Sequence, residues 1–270
     1  MLKGKIKAVC LFEFGIAIVC AFGTTHVYAE MDSIAGQLSP ELMRAIDSTP
    51  DATLFSVEAY AAVSSMYLFR GQDLGNGSAM VSGYVVGSSK GFYSGIWAAS
   101  GDSELGTEYD VFFGYEGNIG DVTINTNLTN YIYPSNEDAD TFGAVSDFYL
   151  NVTYALFAFD YQDNIAGDSG YAYYAFTASL FKYSVTLGMA DIDDLSDNVA
   201  LSNIPGDSNF AGDIRVDYTH LDFSYSHNEN LTFTVSKVLQ QDNVEVGGVK
   251  YENNVDDDLL FVVSYSLPIE

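Results

Sequence analysis

Apolar and polar residues alternate along two stretches between Gly106 and Pro134, which a short turn at 117–120 joins. In the first stretch, one set of alternate positions carries Tyr109, Val111, Phe113 and Tyr115, and the other carries Glu108, Asp110, Phe112, Gly114 and Glu116. Neighbouring side chains of a strand point to opposite faces, so this period of two predicts two strands with one apolar and one polar face. Each stretch has about the 9–11 residues that a tilted strand needs to cross a bilayer.

The same alternation recurs along the chain and predicts twelve strands, at 55–70, 78–88, 91–100, 106–117, 121–133, 145–154, 157–165, 170–180, 183–191, 212–226, 230–240 and 257–267. Their connections are alternately long and short, which is typical of outer-membrane barrels. The predicted fold class is all-β: a transmembrane antiparallel up-and-down β-barrel of about 12 strands, with short periplasmic turns and long extracellular loops. A soluble β-sandwich is the alternative, because it also alternates and uses hairpins.

The N-terminal residues have a different pattern. Lys3, Lys5 and Lys7 precede a mostly apolar run, and small residues end at Ala29, so 1–29 is predicted to be a signal peptide. Residues 30–54 are predicted to form a periplasmic leader with a short helix that begins near Ser39, and 55–270 the outer-membrane barrel. Both cysteines lie within 1–29, which leaves the exported chain without a disulfide or a thiolate site.

Charge excludes one class of partner. The full chain has 10 Lys and Arg against 37 Asp and Glu, and setting 1–29 aside leaves 7 against 36, a net charge of −29. Nucleic acid is therefore not an expected partner, because binding phosphates requires a basic face. The chain has 20 Tyr and 18 Phe, so its acidity does not indicate disorder.

Two short segments carry a resemblance to a known family. Residues 65–71 read S-M-Y-L-F-R-G and resemble the S-x-Y-x-F-R-G signature of the TorF-type porin family, a group of proteobacterial outer-membrane proteins. Residues 91–98 are similar to that family's G-F-Y-x-G-x-W-A signature, and the likeness continues to Pro134. The resemblance implies an outer-membrane barrel with a channel role, but it supplies no substrate and no catalytic residue. The chain departs from the usual aromatic end of such strands by finishing in Leu267-Pro268-Ile269-Glu270.

Alternation also predicts which side chains line a pore. If Tyr67 and Phe69 face lipid, Arg70 faces the lumen near the extracellular end of the first strand. The expected pore-lining residues are Arg70, Glu58, Tyr60, Glu108, Asp110, Phe112, Glu116, Asp147, Asp213, Arg215 and Asp217. Their carboxylates predict a preference for cations, and the inward aromatic rings predict a narrow lumen. For Arg70 an internal salt bridge, for example with Glu108 or Asp110, is the alternative to a role in ion selection.

Aromatic residues near the predicted strand ends are expected to form girdles at the membrane interfaces: Tyr67, Phe69, Tyr131, Tyr133, Tyr171, Tyr173 and Tyr265. Acidic segments at 136–140, 191–194 and 256–258 lack the EF-hand spacing, so solvated loops are expected there. Weak divalent cations that bridge these loops to lipopolysaccharide are the alternative. No cofactor is expected.

The sequence offers little for catalysis. Outside 1–29 the only histidines are His220 and His227, and there is no G-x-S-x-G motif. The sequence therefore predicts a passive outer-membrane porin rather than an enzyme, with small solutes or cations, outer-membrane lipid, lipopolysaccharide and the barrel-assembly machinery as partners. The alternatives are a non-conducting structural or adhesive barrel and, third, a lipid-modifying enzyme.

Overall fold

The regular structure of the protein consists of antiparallel strands. A computed structural model describes residues 9–11, 19–21, 55–103, 105–137, 139–167, 171–192, 216–242, 244–246, 249–251 and 255–269. No helix long and apolar enough to cross a bilayer occurs among these residues. The predicted signal and leader lie outside them, apart from Val9–Leu11 and Val19–Ala21, which pair with each other.

Twelve strands close into one barrel: β1 (Ser56–Ser64), β2 (Met80–Ser89), β3 (Phe92–Asp102), β4 (Gly106–Ile119), β5 (Val122–Ile132), β6 (Val145–Tyr154), β7 (Phe157–Ala166), β8 (Tyr171–Leu180), β9 (Tyr183–Ile192), β10 (Tyr218–Ser226), β11 (Leu231–Gln241) and β12 (Leu260–Ile269). Each strand pairs with the next, and β12 returns to β1 through a ladder from Ser264–Ser64 to Ile269–Ala59. Closure leaves the barrel sheet without an unpaired edge. The predicted all-β barrel is confirmed.

The barrel has apolar residues outside and polar residues inside, as the alternation predicts. On the outer face Val85, Ile96 and Phe113 are 54%, 54% and 57% exposed. Inward positions are buried and carry mainly serine, threonine, asparagine, aspartate and tyrosine. This distribution is the reverse of that in a soluble protein, where apolar side chains pack inside.

The connections define two rims of the barrel. The turn rim has tight turns, such as Lys90-Gly91, Ala155-Leu156 and Phe181-Lys182, in which Lys90, Ala155 and Phe181 have φ of 51°, 54° and 56°. Positive φ at the first turn residue matches the twist of two-residue hairpins. The opposite loop rim has the longer connections. Two of its connections, 103–105 and 167–170, are nevertheless about as short as the turns, so the predicted long–short rhythm holds only in part.

The first predicted strand, 55–70, is wrong at its C-terminal end. β1 stops at Ser64, and the following residues form a separate hairpin in which Leu68–Phe69 pair with Gln72–Asp73. The tenth strand also begins later than predicted, at Tyr218. A second small hairpin, Val244–Val246 with Val249–Tyr251, lies between β11 and β12.

Three of the seven residues predicted to form an aromatic girdle lie inside the barrel instead. Tyr67, Tyr131 and Tyr173 are 1%, 6% and 0% exposed and are buried inside, whereas Tyr265 faces outward. An outer row of ring contacts follows the strand ends near the turn rim instead: Phe92–Tyr115 (4.9 Å between centroids), Phe157–Phe176 (5.8 Å), Tyr183–Tyr225 (5.2 Å) and Tyr225–Phe233 (6.4 Å). Strand parity, rather than closeness to a strand end, determines which rings reach the outer face.

Candidate functional site: the barrel interior and the Arg70 hairpin

The hairpin at 68–73, here called the Arg70 hairpin, comes from the loop rim and is packed into the barrel. Leu68 is 0% exposed and Arg70 at the tip is 1% exposed. Arg70 and Gly71 both have positive φ, 50° and 81°, which is the geometry of a tight two-residue turn. Arg70 therefore lies inside the barrel on a folded-in loop and not, as the sequence predicts, along a barrel strand.

The guanidinium of Arg70 lies among aromatic rings. Its Cζ is 4.3 Å from the ring centroid of Phe69, 4.9 Å from that of Tyr171 and 4.6 Å from that of Tyr173. A cation over ring faces at these distances is attracted by their electron density, most strongly when desolvated. The carboxylate of Asp147 on β6 adds electrostatic attraction.

Gly71 fits only because it has no side chain. A Cβ at this position would lie 2.6 Å from Cγ of His220, and the φ of 81° disfavours other residues. The R-G pair in the sequence therefore has a physical basis. The side chain of Arg70 lies among the rings of Phe69, Tyr171 and Tyr173, here called the cage, while Gly71 lets the backbone contact His220.

Hydrogen bonds to the carboxylate of Glu108, on β4 of the barrel, hold the base of the hairpin in place. The hydroxyl of Tyr67 donates to Oε2 of Glu108 at 2.6 Å, and that of Tyr133 donates to Oε1 at 2.8 Å. Burial, followed by the nearby Glu108 carboxylate, raises the pKa of both hydroxyls, so both remain donors at neutral pH. Nε2 of Gln72 donates to the carbonyl of Asp256 at 3.2 Å, and Asp256 N–H donates back to Oε1 of Gln72 at 2.8 Å.

The predicted pore-lining residues mostly lie inside the barrel. Those that are buried are Tyr60, Arg70, Glu108, Asp110, Phe112, Glu116 and Asp147. Glu58 is half-buried and has the same strand parity as Tyr60. Asp217 lies at the loop rim just before β10, beside a surface cavity of about 320 Å³, and Asp213 and Arg215 fall outside the described residues.

Interior carboxylates pair with amides of neighbouring strands. The amide nitrogens donate in the pairs Asn125–Glu116 (3.1 Å), Asn151–Asp160 (2.6 Å) and Asn164–Asp147 (2.8 Å). Gln162 also donates to Asp147. Asp110 differs, because neither of its carboxylate oxygens has a hydrogen-bond partner among the described residues. Acid–amide pairing holds the carboxyl groups of Glu116, Asp147 and Asp160 in place along the interior.

Sequence analysis missed a buried chain of hydrogen bonds behind the cage. The Tyr173 hydroxyl lies 2.8 Å from Nε2 of His220, and Nδ1 of His220 lies 3.0 Å from Oδ1 of Asp222. Ser236 Oγ donates to that same Asp222 oxygen at 2.5 Å. The signal in the sequence was the spacing of His220 and Asp222, which places both on one strand face. This series of hydrogen bonds holds the Tyr173 ring against Arg70.

Aromatic side chains fill the interior in two groups. The aromatic wall lies on β1–β4 and contains Tyr60, Tyr84, Tyr93, Trp97 and Phe112. The tyrosine wall lies on β5, β6, β8 and β10 and contains Tyr131, Tyr149, Tyr173 and Tyr218. With the Arg70 hairpin in place, Trp97, Tyr149 and Tyr173 are 0%, 1% and 0% exposed, so the interior is closed at this level.

The fold and interior define a class of protein: a closed twelve-stranded antiparallel β-barrel with an apolar outer face, the architecture of outer-membrane barrels. Within that class, the chain belongs to the family described as bacterial protein of unknown function (Gcw_chp), whose model matches residues 48–200. No curated protein matches the chain. The family match does not confirm the resemblance to the TorF-type porins. No named relative therefore supports channel activity for this chain.

Proposed function

We propose that the protein is an outer-membrane barrel that passes small cations passively. We further propose that the Arg70 hairpin closes this passage at the loop rim. The observation that carries the membrane location is the inside-out arrangement of a closed barrel. Lipid cannot hydrogen-bond an open sheet edge, and this barrel sheet has none. Apolar side chains such as Val81, Leu128 and Phe261, each half or more exposed, would contact acyl chains.

Charge supports selection of cations. Glu108, Asp110, Glu116, Asp147 and Asp160 are buried inside the barrel, and Arg70 is the one buried lysine or arginine in the described ranges. Negative charge in a narrow, low-dielectric passage attracts cations and repels anions. Acid–amide pairs keep Glu116, Asp147 and Asp160 fixed, so the wall itself provides the selective field.

Packing supports a closed resting state. The hairpin and both aromatic groups fill the middle of the barrel, and a twelve-stranded barrel is narrower than the 16–18-stranded porins that leave an open channel. Passage therefore requires the hairpin to move. The proposal includes no catalytic step, no cofactor and no metal, and it takes lipid, lipopolysaccharide and the barrel-assembly machinery as partners in the envelope.

Planar-bilayer recording of the purified, refolded protein tests the proposal. We expect low conductance for the wild type, higher conductance for Arg70→Ala, and a reversal potential in a KCl gradient that shows preference for K⁺. Asp147→Asn should weaken that preference, whereas Asp121→Asn, a matched change of an exposed acid in a turn, should leave it nearly unchanged.

A non-conducting structural barrel is the second candidate, and the filled interior favours it. If both the wild type and Arg70→Ala insert into bilayers and neither carries current, the channel is rejected and the structural barrel stands. Selectivity for Cl⁻ in a conducting Arg70→Ala protein would reject the role of the interior carboxylates.

A further inference from the structure

The cage around Arg70 has the composition of a ligand site. Tyr171 and Tyr173 of the barrel wall present rings to the guanidinium, and Asp147 supplies negative charge. Phe69, which belongs to the hairpin itself, completes the cage on the third side. Aromatic faces with a nearby carboxylate recognise flat or diffuse organic cations, because such cations are weakly hydrated and stack on rings.

The barrel holds its part of the cage without help from the hairpin. Tyr173 is fixed by His220, which is fixed in turn by Asp222 at 3.0 Å. Asp147 is held by Asn164 at 2.8 Å and by Gln162. All these partners lie on barrel strands, so the cage is preorganised and should keep its shape when the guanidinium leaves.

The hairpin is attached more weakly than the wall. Only two residue pairs, Leu68–Asp73 and Phe69–Gln72, form its own ladder, and it does not join the barrel sheet. Side-chain bonds at its base, Tyr67 to Glu108 and Gln72 to Asp256, hold it in place. Withdrawal of Arg70 would break these bonds, the backbone bonds of Leu74 to Tyr67 and Ser103 at the base, and the ring contacts of the guanidinium, but it would leave the barrel ladder intact.

We propose that the cage is a binding site for small organic cations with a guanidinium head group, and that Arg70 is a tethered occupant that competes with them. The inference deepens the proposed function by naming a class of solute. A planar guanidinium can stack between the tyrosine rings and offer donors to Asp147, whereas a compact ammonium ion cannot stack in the same way. Tethering gives Arg70 a high effective concentration, so a free cation binds well only when the Arg70 guanidinium is absent from the cage.

Binding of methylguanidinium to the full chain in detergent micelles tests this inference. In Arg70→Ala we expect methylguanidinium to bind about tenfold more tightly than methylammonium, and to raise the thermal unfolding midpoint at millimolar concentrations. Urea, which has a similar planar shape but no charge, should not raise it. The wild type should respond only at much higher concentrations, because Arg70 occupies the cage.

Two further variants locate the site. Replacing Tyr171 by Leu in the Arg70→Ala protein should weaken methylguanidinium binding about tenfold. Replacing the outward Tyr265 by Leu in the same background is the matched control and should not change it. If Arg70→Ala does not fold, Arg70→Gln, which removes the charge but keeps a polar side chain, serves as the vacated cage, with the same ranking of ligands expected.

Equal affinity for methylguanidinium and methylammonium, or binding that survives Tyr171→Leu, would overturn the inference. Absence of binding in a folded Arg70→Ala protein would also overturn it. Because these measurements need no current, a barrel that binds methylguanidinium but never conducts would reject the channel and retain the cage. A barrel that conducts K⁺ but shows no cation-specific binding would do the reverse.

Discussion

The two walls of the barrel interior are packed by different chemistry. In the aromatic wall, Tyr60 and Tyr84 stack at 5.5 Å and 7°, and the fully buried Trp97 packs near Tyr67 at 6.4 Å. In the tyrosine wall, Tyr131 and Tyr149 share a hydrogen bond, and Tyr173 is hydrogen-bonded to His220. Tyrosines of the first wall also donate hydrogen bonds, Tyr60 to Ser266 and Tyr93 to Asn125, but only the second wall presents its rings to a buried cation among the described residues. The difference indicates which wall stabilises the barrel and which wall recognises charge.

Removing the centre of the aromatic wall should have the largest effect. Trp97→Ala deletes the largest fully buried side chain, and we expect a loss of about 3–5 kcal/mol in the free energy of unfolding because a cavity remains. Urea titration of the protein in lipid vesicles, followed by heat-modifiable gel mobility, measures this loss. Phe142→Ala, at a side chain 72% exposed in a loop, is the control and should cost less than about 1 kcal/mol.

Displacing the hairpin from the tyrosine wall should have the next largest effect. In Gly71→Ala the new Cβ would meet His220 at 2.6 Å in addition to the strain of positive φ, so we expect the hairpin to be expelled. Faster amide exchange at Leu74, whose N–H donates to the Tyr67 carbonyl at 2.8 Å, would report the expulsion.

Gly77→Ala provides a matched comparison for Gly71→Ala. Its φ of +78° imposes similar strain, but its added Cβ would have no described atom within 4 Å. Strain alone should cost about 1 kcal/mol and leave the exchange at Leu74 slow. Equal exchange in the two variants would show that contact with His220 does not hold the hairpin.

Local alternation was sufficient to predict the barrel. Along β4 the inward Glu108 and Asp110 and the outward Tyr109 and Phe113 follow the period of two that the sequence shows, and the pairing of each strand with the next follows from the tight turns. The Arg70 hairpin could not be predicted this way. Residues 65–70 keep an alternating pattern, but their partners lie at Gln72–Asp73 and across the barrel, and alternation carries no information on such contacts.

The cage was likewise only partly visible in the sequence. The inward position of Asp147 follows from strand parity, as does that of His220 beside Asp222. Tyr131 and Tyr173 were expected at the lipid interface because they lie near strand ends, yet both are buried inside. Which strands face each other across a closed barrel depends on its three-dimensional closure, so the meeting of Arg70 with Tyr171 could not be read from spacing.

A break in the hydrogen-bond chain of the tyrosine wall should have an intermediate effect. His220→Leu removes the partner of the Tyr173 hydroxyl and one of the two partners of Asp222 Oδ1, so we expect a loss of about 2–3 kcal/mol in the free energy of unfolding. Ser236→Ala removes only one hydrogen bond, to the Asp222 carboxylate, and should cost about 1.5 kcal/mol. The same unfolding titration distinguishes them, and equal losses would mean that the histidine acts only as a space filler.

A smaller effect than that of His220→Leu should follow from loosening the base of the hairpin. Tyr67→Phe keeps the ring but removes the hydroxyl that donates to Glu108 at 2.6 Å, which should cost about 1.5 kcal/mol because the acceptor is a carboxylate. Burial raises the pKa of this hydroxyl, so its contribution is complete below pH 10 and declines as the pH rises toward the raised pKa. Unfolding titrations from pH 8 to about 11 should therefore show a lower free energy of unfolding for Tyr67→Phe than for the wild type. The difference should be constant up to about pH 10 and become smaller above it. A deficit that stays constant through that range would mean that the Tyr67 hydroxyl does not couple protonation to stability.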